Sequence, residues 1–487
     1  MRLQYLFFIL IFGYLIVHTP DVSASGIETR DSNLVSKPNK IKHFFHTNLG
    51  KKENYNRIST VNDLQSSHVE SKWGMTLGGY ICTDLFWDTR QMVESRDGLL
   101  LLYPDNIKED IHGVDINARP SFNFLALNTR VTLRIHAPDA LGAKVSGMIE
   151  GWFAGVSNTD MNGFSMRHAF IKLDWKKTSL LTGQTWHPLF TENCFANTVA
   201  GSAGAPFQPF SRAPQIRLTQ KFLKHSSVML YINAQRDFLS FGTAGNSSSY
   251  LRNSAIPQAG IQYIFNAVTS SDTKPKNTLL FGLGADYKYI IPRVLTDSNV
   301  YTRNGVHAFA ATAFLSFKQD KTDDLSWGIK AKALYGQACN EFLMLGGYAY
   351  KYMDNQVLDT KMDYQYTTLN TIASWMDIYV RIKRWEAGIF GGYTQNLGSN
   401  KNIQDWHNPD TYLARGHNIA YMYRVSVRAF YRWGALQIGL EPEYMLTCYG
   451  NTLNSLGEVQ KPSDTYPNAS RNMVSNLRVL LSTTLFF

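Results

Sequence analysis

From Trp73 to the last residue, Phe487, the sequence repeats one pattern: two-sided segments in which apolar and polar side chains alternate. Period two belongs to the β-strand, whose successive side chains point to opposite faces. Sixteen such segments occur, near 73–90, 121–136, 143–155, 163–175, 178–187, 212–224, 226–238, 257–267, 277–292, 305–318, 324–338, 369–383, 385–396, 417–432, 435–449 and 475–487. Connections after even-numbered segments are short, as at Lys176-Lys177, Lys224-His225, Arg384 and Trp433-Gly434. Those after odd-numbered segments are long and rich in Gly, Asn, Ser and Asp, as over 91–120, 188–211 and 450–474. An even count with tight turns on one side and long loops on the other predicts an all-β fold. It is a 16-stranded antiparallel transmembrane β-barrel, with short periplasmic turns, long outer loops and both termini in the periplasm.

The two faces agree with that expectation. In 417–432, Ile419, Tyr421, Tyr423, Val425, Val427, Ala429 and Tyr431 would face lipid, with Met422, Arg424, Ser426, Arg428, Phe430 and Arg432 between them. In 121–136, Val131, Leu133 and Ile135 alternate with Arg130, Thr132 and Arg134. A soluble β-sandwich with one wetted face would alternate too, but has no reason to gather Trp at one end of its strands. Trp73, Trp175, Trp327, Trp385 and Trp433, half of the ten, fall at the periplasmic strand ends or turns. Indole prefers the headgroup level, so these residues read as a membrane girdle.

The chain ends on a strand closed by Phe487, an exposed aggregation liability in a soluble protein. This ending is similar to the C-terminal signature of bacterial outer-membrane barrels, which implies that the barrel-assembly machinery reads the last strand as a partner. At the other end, Arg2, the apolar run Leu6–Phe12 and Val22-Ser23-Ala24 form a secretory signal peptide over 1–24, with cleavage expected after Ala24. Residues 25–72 are polar and lack alternation; they read as a periplasmic segment, disordered or a short helix on Ile58, Val61 and Leu64. The barrel domain is 73–487.

Composition removes other classes. Four cysteines, Cys82, Cys194, Cys339 and Cys448, are too few for a disulfide scaffold, and neither pairing nor free thiols follows from their positions. No apolar run of about 18 residues follows the N-terminus, which excludes a helical polytopic protein. The net charge is +10, but the basic residues are scattered singly among aromatics, with no block that suggests nucleic acid. No Cys-x-x-Cys, His-Glu-x-x-His or Gly-x-Ser-x-Gly occurs, so no metal, cofactor or catalytic group is expected.

Sixteen strands enclose a water-filled lumen rather than a packed core. The third long loop carries Phe190, Phe195, Phe207 and Phe210 together with bending Gly and Pro residues, and is expected to fold inward as the constriction. Lumen-facing charges are expected at Arg130, Arg134, Arg381, Arg424, Arg428, Arg432, Lys330 and Lys332, with acidic partners at Asp377 and Glu441 and with Glu192 on the loop facing the arginines. Charges opposed across a narrow aqueous gap orient polar solutes. The basic excess predicts a weak anion preference.

Four motifs add a resemblance. They are Asn162-Gly163-Phe164-Ser165-Met166-Arg167-His168-Ala169-Phe170-Ile171-Lys172-Leu173-Asp174-Trp175, Leu181-Thr182-Gly183-Gln184-Thr185-Trp186-His187-Pro188-Leu189-Phe190, Gly204-Ala205-Pro206-Phe207-Gln208-Pro209-Phe210 and Gly391-Gly392-Tyr393-Thr394-Gln395-Asn396-Leu397-Gly398. As a set they resemble porins of the Bacteroidetes and, more distantly, the trimeric dicarboxylate-type porins of other Gram-negative bacteria. The resemblance implies a passive diffusion pore in the outer membrane, surrounded by lipid and lipopolysaccharide, forming a homotrimer, with the third loop at the constriction. The dicarboxylate-type relatives carry a coiled coil before the barrel, and 25–72 shows no sustained heptad. The alternatives are a ligand-selective porin for phosphate or small carboxylates, an outer-membrane enzyme, an adhesin and an energy-coupled transporter; the last usually has 22 strands and a plug.

Overall fold

The computed structural model describes residues 58, 60, 61 and 73–487, apart from 158, 270–274 and 354–362, together with the backbone of 45–47. The leader expected over 1–24 and most of 25–72 lie outside the described residues.

All sixteen alternating segments are strands: β1 Gly74–Asp88, β2 Ser121–Leu125 and Arg130–Ala140, β3 Ala143–Trp152, β4 Ser165–Asp174, β5 Thr178–Trp186, β6 Arg212–Lys221, β7 Ser226–Asn233 and β8 Gln258–Val268. They continue with β9 Lys276–Ile290, β10 Val306–Asp320, β11 Leu325–Gln337, β12 Tyr366–Ile382, β13 Trp385–Ser399, β14 Ile419–Trp433, β15 Leu436–Gly450 and β16 Arg471–Phe486. Each pairs antiparallel with the next, and β1 pairs with β16 from Tyr80↔Phe486 to Asp88↔Arg478, which closes the sheet. Closure satisfies every strand edge, a necessity in lipid, where an unpaired peptide group is costly. Phe487 completes the seam, exchanging both backbone hydrogen bonds with Gly79 at 3.1 and 3.2 Å. Below this seam Phe45–Thr47 lies parallel to β1, with Phe45 beside Met75.

Alternation sorts the side chains as the sequence predicts. On β14, Arg424, Ser426 and Arg428 are buried inward, whereas Val425 and Val427 are exposed on the outer face. Trp73, Trp385, Trp433 and Phe487 are exposed, and Trp175 and Trp327 are half-buried, at the short-turn end of the barrel. β12 and β16 both start before their alternation does. β12 begins at Tyr366 with six consecutive buried residues, and β16 begins at Arg471. Where the inner loops pack on one face and neighbouring elements cover the other, both faces of the strand are buried, so period two no longer marks it.

The wall is uneven. Strands β3–β7 are 8 to 10 residues long, whereas β9–β16 are 13 to 17. About 10 tilted residues suffice to cross the apolar layer, so the β9–β16 side stands above it and the β3–β7 side does not.

Candidate pore site

The third outer loop, 187–211, folds into the barrel, and particular side chains hold it there. His187 accepts from the Leu189 N–H at 3.2 Å and starts a short turn over Pro188–Phe190. Phe190 stacks on Trp186 at 4.0 Å between ring centres, and Phe195 stacks on Phe190 at 5.7 Å. Phe207 and Phe210 lie in the same buried cluster, so the aromatics that would be costly in water cover one another inside the barrel.

Polar groups carry the loop across to the opposite wall. Asp377 accepts from the Asn197 backbone N–H at 3.2 Å, and Glu386 from the Asn197 side-chain amide at 2.5 Å. Glu441 accepts from the Val199 and Ala200 N–H groups at 2.6 and 3.0 Å. Lys332 donates to the Leu189 and Phe190 carbonyls at 2.6 and 2.7 Å, and Lys330 to the Phe195 carbonyl at 3.1 Å. These two lysines, expected as lumen charges, are engaged with the backbone of the loop.

Two more loops turn inward. The first outer loop forms a hairpin, Met92–Ser95 with Leu100–Pro104, whose second arm is fully buried. In the sixth, Ala338–Leu345 is buried, Glu341 pairs with Lys288, and the Phe342 carbonyl accepts from the Phe210 N–H at 2.9 Å. Neither loop has a sequence signature that separates an inward from an outward fold.

The arginine series on β14 meets acids within its own wall. Arg428 pairs with Asp377 at 2.5 Å, Arg432 and Arg381 both pair with Glu386 at 3.0 Å, and Arg424 pairs with Glu443 at 3.3 Å. With Glu441 beside them, four arginines face four carboxylates. Arg134 stands apart, half-buried near the short-turn end of β2. Glu192 does not face the arginines of β2 and β14. It lies 3.8 Å from Arg217 of β6 and accepts from the Thr185 hydroxyl at 3.3 Å and the Val61 N–H at 3.4 Å. Burial raises its carboxyl above the usual range, against the opposing pull of Arg217. Ile58 and Val61 are buried against this part of the barrel, Val61 beside Met148, Phe170 and Leu181.

A second group of arginines lies on the other wall. Arg130, Arg167 and Arg212 from β2, β4 and β6, and Arg96 from the first-loop hairpin, surround the Trp152 ring at 5.5, 4.1, 5.1 and 4.7 Å. Among the described residues, Glu150 and Asp237 pair with these guanidinium groups. Glu150 lies 2.7 Å from Arg167 and 3.7 Å from Arg130, and Asp237 lies 2.9 Å from Arg96 and 2.7 Å from Arg212. Burial alone would raise the Asp237 carboxyl, but Arg212 and Arg96 outweigh it and hold it below its ordinary value. All four arginines are at most 2% exposed. Among the described residues, both terminal nitrogens of Arg167, and Nε and Nη1 of Arg212, have no hydrogen-bond acceptor.

Of this cluster only Arg130 stands among the expected pore residues. Arg167 escapes the alternation because of a β-bulge: Glu150 pairs with His168 but Gly151 pairs with Met166, leaving Arg167 as an extra residue. A bulge re-aims the local side chains, and here both Arg167 and His168 are buried on the lumen side. Arg96 comes from a loop, and Arg212 opens its strand beside Trp186. All four cysteines are buried free thiols, Cys194 donating to the Leu315 carbonyl at 3.4 Å. Among the described residues no group of His, Cys, Asp and Glu is arranged to hold a metal ion.

No protein-family model matches the chain, and no curated protein is similar to it in sequence. Solved structures do match. The outer-membrane channel DcaP of Acinetobacter baumannii aligns with 86% of this chain and 100% of its own, at 13% identity and a TM-score of 0.54. The anion-selective porin from Comamonas acidovorans aligns with 85% of this chain and 100% of its own, at 9% identity and a TM-score of 0.44. Identities this low speak to fold alone. The chain therefore has the fold of the outer-membrane channel DcaP, here a closed antiparallel barrel of sixteen strands.

Proposed function

We propose that this protein is an outer-membrane porin, a passive route for small hydrophilic solutes with a weak preference for anions. The observation that carries the preference is the cluster around Trp152, where four guanidinium groups gather and Arg167 and Arg212 keep N–H donors with no acceptor among the described residues. A buried donor without a partner costs about 1–3 kcal/mol, and a carboxylate or phosphate oxygen relieves that cost. The β14 series supports the preference less, because its arginines are matched by acids.

A ligand-selective porin for phosphate or small carboxylates is the second reading, favoured by the planar donor forks of Arg167 and Arg212, which suit two-oxygen acceptors. The same reading of the chain includes export by a signal peptide, a girdle at the lipid headgroups, contact with lipopolysaccharide and delivery by the barrel-assembly machinery through β16. It also includes a homotrimer. The low β3–β7 wall, with exposed Ile149, Met166, Ile171, Ile216 and Leu218, is the side we assign to subunit contact.

The test is the reversal potential of the reconstituted protein across a planar bilayer in a KCl gradient, followed by titration with phosphate and succinate. Anion preference without block supports the general porin; block by either solute supports the ligand-selective one. Folded protein that never conducts rejects both.

A further inference from the structure

Resting on the porin reading above, we infer that the hairpin of the first outer loop is the lid of the anion pathway and that Arg96 is its charge-selecting residue. The arginines that would attract a solute are sealed from water, and the hairpin is one of the elements that seal them. Its buried arm, Leu100–Tyr103, packs in one cluster with Met445, Tyr449 and Val474 of β15 and β16, while Leu99 packs with Trp152 and Leu480. The hairpin thus bridges the seam wall and the arginine cluster.

Its turn is built to present Arg96. Arg96 and Asp97 both adopt left-handed backbone angles, φ 59° and 53°, followed by Gly98 at 83°. Asp-Gly suits such a turn, but a left-handed Arg carries a steric cost. Strain of this kind persists only where the surroundings over-determine it, and it gathers at clamps and switches. Here the surroundings are specific. The guanidinium lies 4.7 Å over Trp152 and 5.2 Å over Phe238, and it pairs with Asp237 of the fourth outer loop. Arg478 donates to the Gly98 carbonyl at 2.7 Å, Asn123 to the Asp97 carbonyl at 3.0 Å and Tyr449 to the Pro104 carbonyl at 2.8 Å.

Two opposed forces act on the seated hairpin. Burial of its leucines and the Asp237 pair hold it in, while the like charges of Arg130, Arg167 and Arg212 push against Arg96. A lid in that balance opens without any rearrangement of the barrel. An anion that enters the uncovered cluster meets three guanidinium groups and takes over the shielding of their mutual repulsion. A cation gains nothing there and meets Arg96 on its way in. The hairpin then contributes to selectivity as well as to closure, alongside the third loop.

The test compares three variants in planar bilayers with KCl gradients. In the first, residues 92–104 are replaced by a short Gly-Ser linker. In the second, Asp97→Cys and Asn123→Cys are joined by a short bis-maleimide; the four native thiols are buried. The third is Arg96→Gln. The lid predicts severalfold higher conductance and a weaker anion preference for the shortened loop, which also loses Arg96, lower conductance after cross-linking, and longer openings with weaker anion preference for Arg96→Gln. Cross-linked protein that conducts like the uncross-linked form overturns the lid, even if the shortened variant fails to fold. Shortened protein that folds and conducts like wild type overturns it as well. If folded wild-type and shortened proteins both fail to conduct, the porin reading itself falls.

Discussion

Arg428 grips Asp377 through both of its terminal nitrogens, at 2.5 and 3.2 Å, while the same carboxylate accepts from the Asn197 N–H of the third loop. An ion pair in the wall therefore doubles as an anchor of the third loop. Removing one partner of a buried pair leaves an uncompensated charge and costs about 3–5 kcal/mol. Asp377→Ala is expected to lower the heat-modification midpoint and to make the open current noisy, because Asn197 loses its acceptor. Arg428→Ala should match it in stability. An unchanged midpoint in both would separate the loop from this pair.

Selectivity should follow the Trp152 cluster and not the balanced wall. Arg167→Gln and Arg212→Gln are each expected to move the reversal potential toward cations. The double substitution Arg424→Gln with Glu443→Gln removes one charge of each sign, and is expected to leave it in place. A shift from Arg424→Gln alone as large as those from Arg167→Gln and Arg212→Gln would mean that overall lumen charge, and not the Trp152 cluster, sets the preference.

Trp152 holds the guanidinium groups apart from one another as much as it fills space. Trp152→Ala removes a side chain only 2% exposed, a loss worth about 3–5 kcal/mol. Its cation–π contacts add about 0.5–1 kcal/mol each where partly solvated and more when desolvated. Trp152→Phe keeps a ring and should recover most of the midpoint. Recovery by Leu to the same extent would make the ring's electrostatics irrelevant.

The first loop should respond to pH through Glu94. Burial pushes its carboxyl up to about 7, with Asp97, Asp88 and Asp105 adding to the rise and Arg478 opposing it. A raised carboxyl favours the protonated seated hairpin. Its contribution is therefore complete below the unfolded value near 4.5 and is lost as pH rises through about 7. Maleimide labelling of Leu101→Cys, a position buried in the seated hairpin, is expected to accelerate between pH 5.5 and about 8.5, beyond the intrinsic thiolate effect measured on a peptide. Adding Glu94→Gln should abolish the excess. Labelling that tracks the peptide at every pH would remove Glu94 from the loop's control.

Alternation and turn spacing by themselves determined the barrel, its sixteen strands, the inward face of β14 and the Trp-rich end, because lipid on one side and water on the other impose period two on every strand that crosses. The inward fold of the third loop was also legible, since Phe190, Phe195, Phe207 and Phe210 have no low-energy place in water. Only the tertiary structure decided what the charges do. Arg424, Arg428 and Arg432 share a face, yet the neighbours that neutralise them come from β12, β13 and β15, and lateral pairing is not written along one strand. Arg167 turns inward through a one-residue bulge that reverses local parity. Arg96 reaches Asp237 across 141 positions, and a contact between two loops is fixed by closure of the barrel beneath them.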